Sequence, residues 1–231
     1  ATLYEPGANQ LLAAKDDSGA WLCAAELASA DSPIMGEILD RYAIRHPASN
    51  MHPAAALWFG HYCYTLEAVV FGMYMLQQRV IDLDLNNIWL QFDEHSYIQK
   101  IAWTGRSFVA LDSDSAAAHA DCTAVATRDA LRDALRSRLI DSFTPLIQAV
   151  SGYTGFGKPG LWTLAADYCG YVLAWMGEMA GDEALGVAES RAFSATPSSL
   201  SLRKDFILVE HLDDTHYMLD RTSCCLYYKV E

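Results

Sequence analysis

At 231 residues and 52% hydrophobic content, the chain can bury one substantial core with at most a small additional lobe. Twenty-nine acidic against sixteen basic residues leave a formal charge of −13, which argues against nucleic acid or an anionic membrane surface as the main partner. The six cysteines are scattered apart from a final adjacent pair, unlike a secreted disulfide framework, and no basic-then-apolar leader is visible, so a soluble cytoplasmic protein is expected.

Residues 1–20 read as a loose arm, and 21–30 as a short helix-like piece. Ser32-Pro33 opens a helix to about residue 45, with proline at its first position and Glu37 in its first turns; His46-Pro47 ends it. His52-Pro53 then starts a long helix to about residue 79, whose apolar residues recur every three or four positions from Leu57 to Leu76. Trp58, His61 and Tyr62 lie in its first third. They read either as a substrate-contacting cluster or as packed residues, the commoner fate of a histidine on an apolar helix. His61 and Glu67 interrupt this segment, and Asp167 and Glu178 interrupt the apolar run 161–180, so neither reads as a bilayer span. From residue 87 the period shifts to two. Ile88, Leu90 and Phe92 alternate, residues 93–96 turn, and 97–103 return, with 108–111 adding to a hairpin or small antiparallel sheet. Residues 112–115 and the alanines after them read as a surface loop.

Residues 127–150 form the clearest helix, with Leu131, Leu135, Leu139, Phe143, Leu146 and Val150 on one stripe and a kink expected at Pro145. Arg128, Arg132 and Arg136 step by four along another face. That stripe suits an anionic ligand or an acidic electron donor. It equally suits a solvated face in which Asp129 and Asp133 each pair with the arginine three residues on. The glycine-rich loop 151–157 has neither the Gly-Lys-Ser/Thr of a phosphate loop nor the dinucleotide fingerprint, which excludes a nucleotide reading. A core helix at 161–180, a shorter helix at 182–191 and a Ser/Thr/Pro linker at 194–201 follow. Strands at 206–210 and 215–219 flank a turn.

The last stretch, Arg221-Thr222-Ser223-Cys224-Cys225-Leu226-Tyr227-Tyr228, places two adjacent cysteines in a run of β-forming residues. Neighbours in a strand point to opposite faces, so both thiols reach one point only if the backbone turns between them. An adjacent pair can still serve a centre with two metal atoms. Packing as small hydrophobes, a strained disulfide with each other, or pairing with other cysteines are the alternatives.

Arg-x-x-Cys-Cys-Leu-x-Tyr near the end of a chain of this size resembles the FhuF-type ferric-siderophore reductases. Gly157-Lys158-Pro159-Gly160-Leu161-Trp162, leading into Tyr168-Cys169-Gly170-Tyr171 and on to Trp175, resembles that family's tryptophan-bearing helix. The resemblance runs from about residue 155 to the end. It implies a [2Fe–2S] cluster held by Cys224, Cys225 and a Cys-x2-Cys about ten residues further on, with Arg221 as a nearby positive charge or an anchor to a carboxylate. Six residues follow Cys225 and the chain starts at Ala1, so both ends are expected to be trimmed and half of the cluster site to be present. Cys63 and Cys169 sit in apolar helical runs and are expected to be structural.

The resemblance further implies a ferric siderophore as substrate, bound by the helical body with Trp58, His61, Trp162 and the Arg128/Arg132/Arg136 stripe as candidate contacts. It also implies an electron donor such as a ferredoxin or a flavin- or NAD(P)H-dependent reductase, with peripheral membrane association left open. A cluster-less siderophore- or partner-binding protein on the same fold, or a zinc site in place of the cluster, are the alternatives. The expected architecture is α+β: a mainly helical body over 1–201 with a hairpin near 87–111, and a β-rich segment over 202–231 carrying the cysteines.

Overall fold

A computed structural model describes Lys15 and residues 20–29, 33–211 and 214–230. The expected loose arm at 1–20 lies largely outside these residues. The fold is α+β and mainly helical, with small, predominantly antiparallel sheets.

The helices are α1 (Ala24–Ala28), α2 (Ile34–Arg45), α3 (His52–Gln77), α4 (Arg128–Thr154), α5 (Lys158–Met179) and α6 (Glu183–Ala195). Helix α3 is apolar around most of its circumference and is correspondingly central, with Trp58, Phe59, Tyr62, Leu66, Phe71 and Tyr74 all fully buried. It stops where Gln78 takes a left-handed conformation (φ 53°) and returns its N–H to the Met73 and Tyr74 carbonyls. Thr127 caps α4 by accepting the Ala130 N–H at 3.1 Å, and Gly155 (φ 72°) ends it. The predicted stripe from Leu131 to Val150 is buried against the core, and the helix continues past Pro145. It also continues through Thr154, so all but the end of the expected glycine-rich loop is helical. Gly152 alone costs a helix too little to break it when the neighbouring turns are packed.

Helices α5 and α6 pack at very short range. A Cβ built on Gly186 would lie 2.6 Å from the Ala174 carbonyl oxygen and 2.8 Å from the Gly177 Cα. The two glycines let the backbones touch, and no other residue fits there.

Strands β1 (Leu22–Cys23), β3 (Ile88–Phe92) and β4 (Ile98–Trp103) form one antiparallel sheet, with Leu22 opposite Leu90 and Ile88 opposite Trp103. The predicted hairpin is its core. Strand β5 (Phe108–Leu111) does not extend it. β5 instead pairs antiparallel with β2 (Arg79–Ile81) and parallel with β6 (Cys122–Val125), making a second sheet of order β2-β5-β6. The loop expected at 112–115 and the alanines after it is a run of turns, and β6 follows it in a stretch to which the sequence assigned no element. Strands β7 (Phe206–His211) and β8 (Asp214–Leu219) form the predicted C-terminal hairpin, which rests on α5 and α6 through Phe206, Leu219 and Val187.

The strand expected at the cysteines is absent. Residues 220–226 are irregular and Tyr227–Lys229 form a 3-10 turn, because Leu226 adopts a left-handed conformation (φ 59°) immediately after the pair. That conformation ends any extended run, so Tyr227 and Tyr228 do not alternate about a strand. Both are exposed, at 60% and 74%.

Candidate functional site

The C-terminal segment is fastened to the helical body at three places. The Ser223 N–H donates to Asp167 Oδ2 at 2.7 Å; Asp167 is a buried carboxylate on α5. The Arg221 guanidinium lies over the Tyr168 ring, 4.9 Å from its centroid. Cation–π contact with the next residue of the same helix thus replaces the carboxylate anchor that the sequence allowed. Tyr168 is itself wedged against α3, since a Cβ at Gly60 would meet its ring at 2.9 Å. Third, the 3-10 turn packs on the body with Tyr227 edge-on to His46, ring centroids 6.4 Å apart.

Between these fastenings Cys224 is exposed and Cys225 half-buried, and neither is in a disulfide. The backbone turn at Leu226 brings its N–H to 3.4 Å from Cys224 Sγ. A backbone N–H directed at sulfur is the kind of outer contact that orients a metal-ligating cysteine. Two adjacent thiols fit the donor chemistry of an iron–sulfur cluster, which takes four thiolates. Among the described residues no group of three or more His, Cys, Asp or Glu side chains could hold a metal ion.

Cys63 and Cys169 do not complete the set. Both are fully buried, and Cys169 Sγ donates to Glu67 Oε1 at 3.3 Å. Burial, and then the nearby Glu67, push both thiols well above the usual cysteine range, so they stay protonated. Burial likewise raises the Glu67 carboxyl well above the carboxylate range. The expectation that these cysteines are structural agrees with this environment.

The candidate substrate residues divide. Trp58 is fully buried and stacked on Tyr62 (centroids 5.8 Å), so it is core and reaches no cleft. The His61 ring nitrogens are buried beside Tyr97 (centroids 5.5 Å), and burial lowers its pKa to about 4, leaving it neutral. With Tyr42, His46 and Tyr97, it underlies the 3-10 turn; His46 Nε2 and Tyr97 Oη are 2.7 Å apart.

The arginine stripe is neither a solvated face nor an open anion site. Arg132 and Arg136 do pair with Asp129 and Asp133 as the spacing predicts, yet both are buried. Arg132 Nε donates to Glu189 Oε1 at 2.7 Å, Arg128 Nε to Glu189 Oε2 at 3.2 Å, and Arg136 to the Phe193 carbonyl at 2.7 Å. Tyr74 of α3 also donates to Glu189. Burial tends to raise the Glu189 carboxyl, but bonds from Arg132 and Tyr74 and the charge of Arg128 outweigh it and hold it below the usual range. The stripe is a clamp joining α3, α4 and α6.

Of the candidate residues, Trp162 lines a cleft. One of about 320 Å³ is lined by Lys158, Trp162, Thr163 and Ala166 of α5 and by Ser199 and Arg203 of the connection to β7. The sequence reading omitted Lys158 and Arg203; Lys158 stands in the quoted tryptophan-helix motif and could have been found there. A larger cleft of about 510 Å³ lies between α1 and α4, lined by Asp82, Asp84, Asp141 and Arg138, and includes no residue of the C-terminal segment. None of the helices among the described residues is long and apolar enough to cross a membrane.

Residues 56–205 match the family described as "Ferric iron reductase FhuF-like transporter", and the match ends before the cysteine pair. No curated protein matches the chain significantly.

Proposed function

The chain belongs to the FhuF-like ferric iron reductase family, and from that premise we propose that it reduces siderophore-bound ferric iron by one electron in the cytoplasm. The observation that carries this reading is the cysteine turn: two free thiols on an outward-facing bend, pinned to α5 within the matched region.

Siderophores hold ferric iron through hard, charged oxygens, and ferrous iron binds such ligands far more weakly. One electron therefore converts a nearly irreversible complex, Fe(III)–chelate, into a labile Fe(II)–chelate that releases Fe(II) as the chelator oxygens take up protons. The electron comes from an external one-electron donor such as a ferredoxin or a flavin- or nicotinamide-dependent reductase. A [2Fe–2S] cluster bound at the turn supplies a one-electron carrier. Cys224 and Cys225 would provide half of its thiolates, and two further thiolates are needed beyond those described. The Leu226 N–H withdraws charge from Cys224 Sγ, and the Arg221 guanidinium stabilises added negative charge nearby; both favour the reduced state. Asp167 and Tyr168 hold the turn against the body, where the substrate binds.

The test is composition and turnover of the full-length protein purified without oxygen. About two irons and two sulfides per chain, with a red-brown colour bleached by dithionite, are expected. Release of Fe(II) from a ferric siderophore to a ferrous-specific chelator should follow, and should be abolished in Cys224→Ser and Cys225→Ser. A colourless, sulfide-free protein that binds a siderophore without reducing it would overturn the reductase reading and leave a binding protein on the same fold. Zinc in place of iron would do the same.

A further inference from the structure

We propose that the cleft beside Trp162 seats the iron-bearing ligand and selects ferric chelates of net negative charge. The ligand's identity rests on the reductase reading; the preference for anions rests on the cleft's own residues.

The first argument is charge. The cleft lining contains Lys158 and Arg203 and no acidic residue. In a chain of formal charge −13 such a lining stands out, because seven of the sixteen cations are tied up in ion pairs. Arg79 binds Asp114, Arg106 binds Asp121, Arg191 binds Asp205, Lys204 binds Asp220, and the α4 arginines hold Glu189 and the Phe193 carbonyl. Lys158 and Arg203 make no ion pair among the described residues. Two unneutralised cations facing one concavity create a local positive field inside a repelling envelope, and this discriminates by ligand charge more than by shape.

The second argument is chemistry. Trp162 contributes an aromatic ring to the same lining as the two cations, with Thr163 and Ser199 as hydroxyl partners. That combination suits an aromatic or carboxylate-bearing chelating arm. At about 320 Å³ the cleft sits at the small end of ligand sites and would take one arm of a chelate, the rest facing solvent.

The third argument is position. Ala166 lines the cleft, and the next residue, Asp167, accepts the Ser223 N–H, one residue before Cys224. The cleft and the cysteine turn thus draw on consecutive residues of α5, about 1.5 Å apart in helical rise. Two further clefts lack this combination. The one between α1 and α4 is lined by three aspartates, and the one beside Trp103 has its arginines paired with Asp114 and Asp121.

Gallium(III) chelates test this without redox chemistry, since gallium shares the charge of ferric iron and is not reduced. Binding to the full chain is followed by tryptophan fluorescence and calorimetry. The probes are a gallium tris-catecholate (net negative) and a gallium complex of an amine-bearing linear trihydroxamate (net positive). The catecholate should bind and quench fluorescence. Its affinity should fall about tenfold or more in Lys158→Gln/Arg203→Gln, survive in Lys158→Arg, and weaken with salt in the wild type. Trp162→Phe should lose most of the quench. Equal affinity of the two probes, or undiminished catecholate binding by the double variant, would overturn the proposal, as would no binding of either probe. A protein that binds the gallium catecholate through Lys158 and Arg203 but never reduces a ferric one would refute the reductase reading and leave the cleft assignment standing.

Discussion

Glu67 shows how far a single side chain can depart from its solution chemistry here. It is fully buried between α3 and α5, with Cys169 bonded to one oxygen and no charged partner. Its folded-state pKa is raised, so the stability it contributes is complete below the unfolded glutamate pKa of about 4.3 and is lost as pH rises towards the folded value. Urea denaturation at about pH 5 and about pH 8 should therefore show wild-type stability declining across that window, and Glu67→Gln should flatten the decline. An unchanged slope would mean that the carboxyl is solvated or ionised. The cysteine pair stands out in the sequence because adjacency is rare and the flanking arginine and tyrosines are local. The arginine stripe was not, because its partner Glu189 lies 57 residues beyond Arg132, and single-helix spacing reports only neighbours at three and four.

At the scale of elements, helices α2 to α6 follow the sequence pattern closely, since proline starts, polar caps and apolar stripes agree with one another. The β2 and β6 strands escaped it. Each has only three or four residues, and β6 sits in an alanine-rich stretch; the pairing with β5 makes them strands, not their own period. The reverse happened at 224–228, where β-forming residues are bent by the left-handed Leu226. The α5–α6 contact depends on Gly177 and Gly186, whose roles appear only when the helices cross. Gly186→Ala should destabilise the protein by about 1–3 kcal/mol through overpacking, despite the better helix propensity of alanine, and lower the thermal midpoint. A neutral or stabilising result would show that the two backbones separate without cost.

For the molecule as a whole, Glu189 is the junction of three helices, accepting from Tyr74 on α3 and from Arg128 and Arg132 on α4. Its depressed pKa contributes stability above the unfolded value of about 4.3, and this is lost as pH falls through the folded value. Glu189→Gln leaves the buried Arg132 with only the exposed Asp129 as counter-charge and should cost about 3 kcal/mol at neutral pH. It should also make acid unfolding less steep than in the wild type. A variant as stable as wild type would show the clamp to be incidental.

The bond between Asp167 and Ser223 has a temporal consequence as well. It spans 56 residues, and the enclosed chain includes the end of α5, all of α6 and the β7–β8 hairpin, which rest on one another. Contacts that close so long a loop carry a large entropic cost until the intervening elements have docked. The cysteine turn is thus among the last parts of the molecule to find its seat. During folding the thiols of Cys224 and Cys225 therefore stay open to oxidants until the rest of the fold is complete.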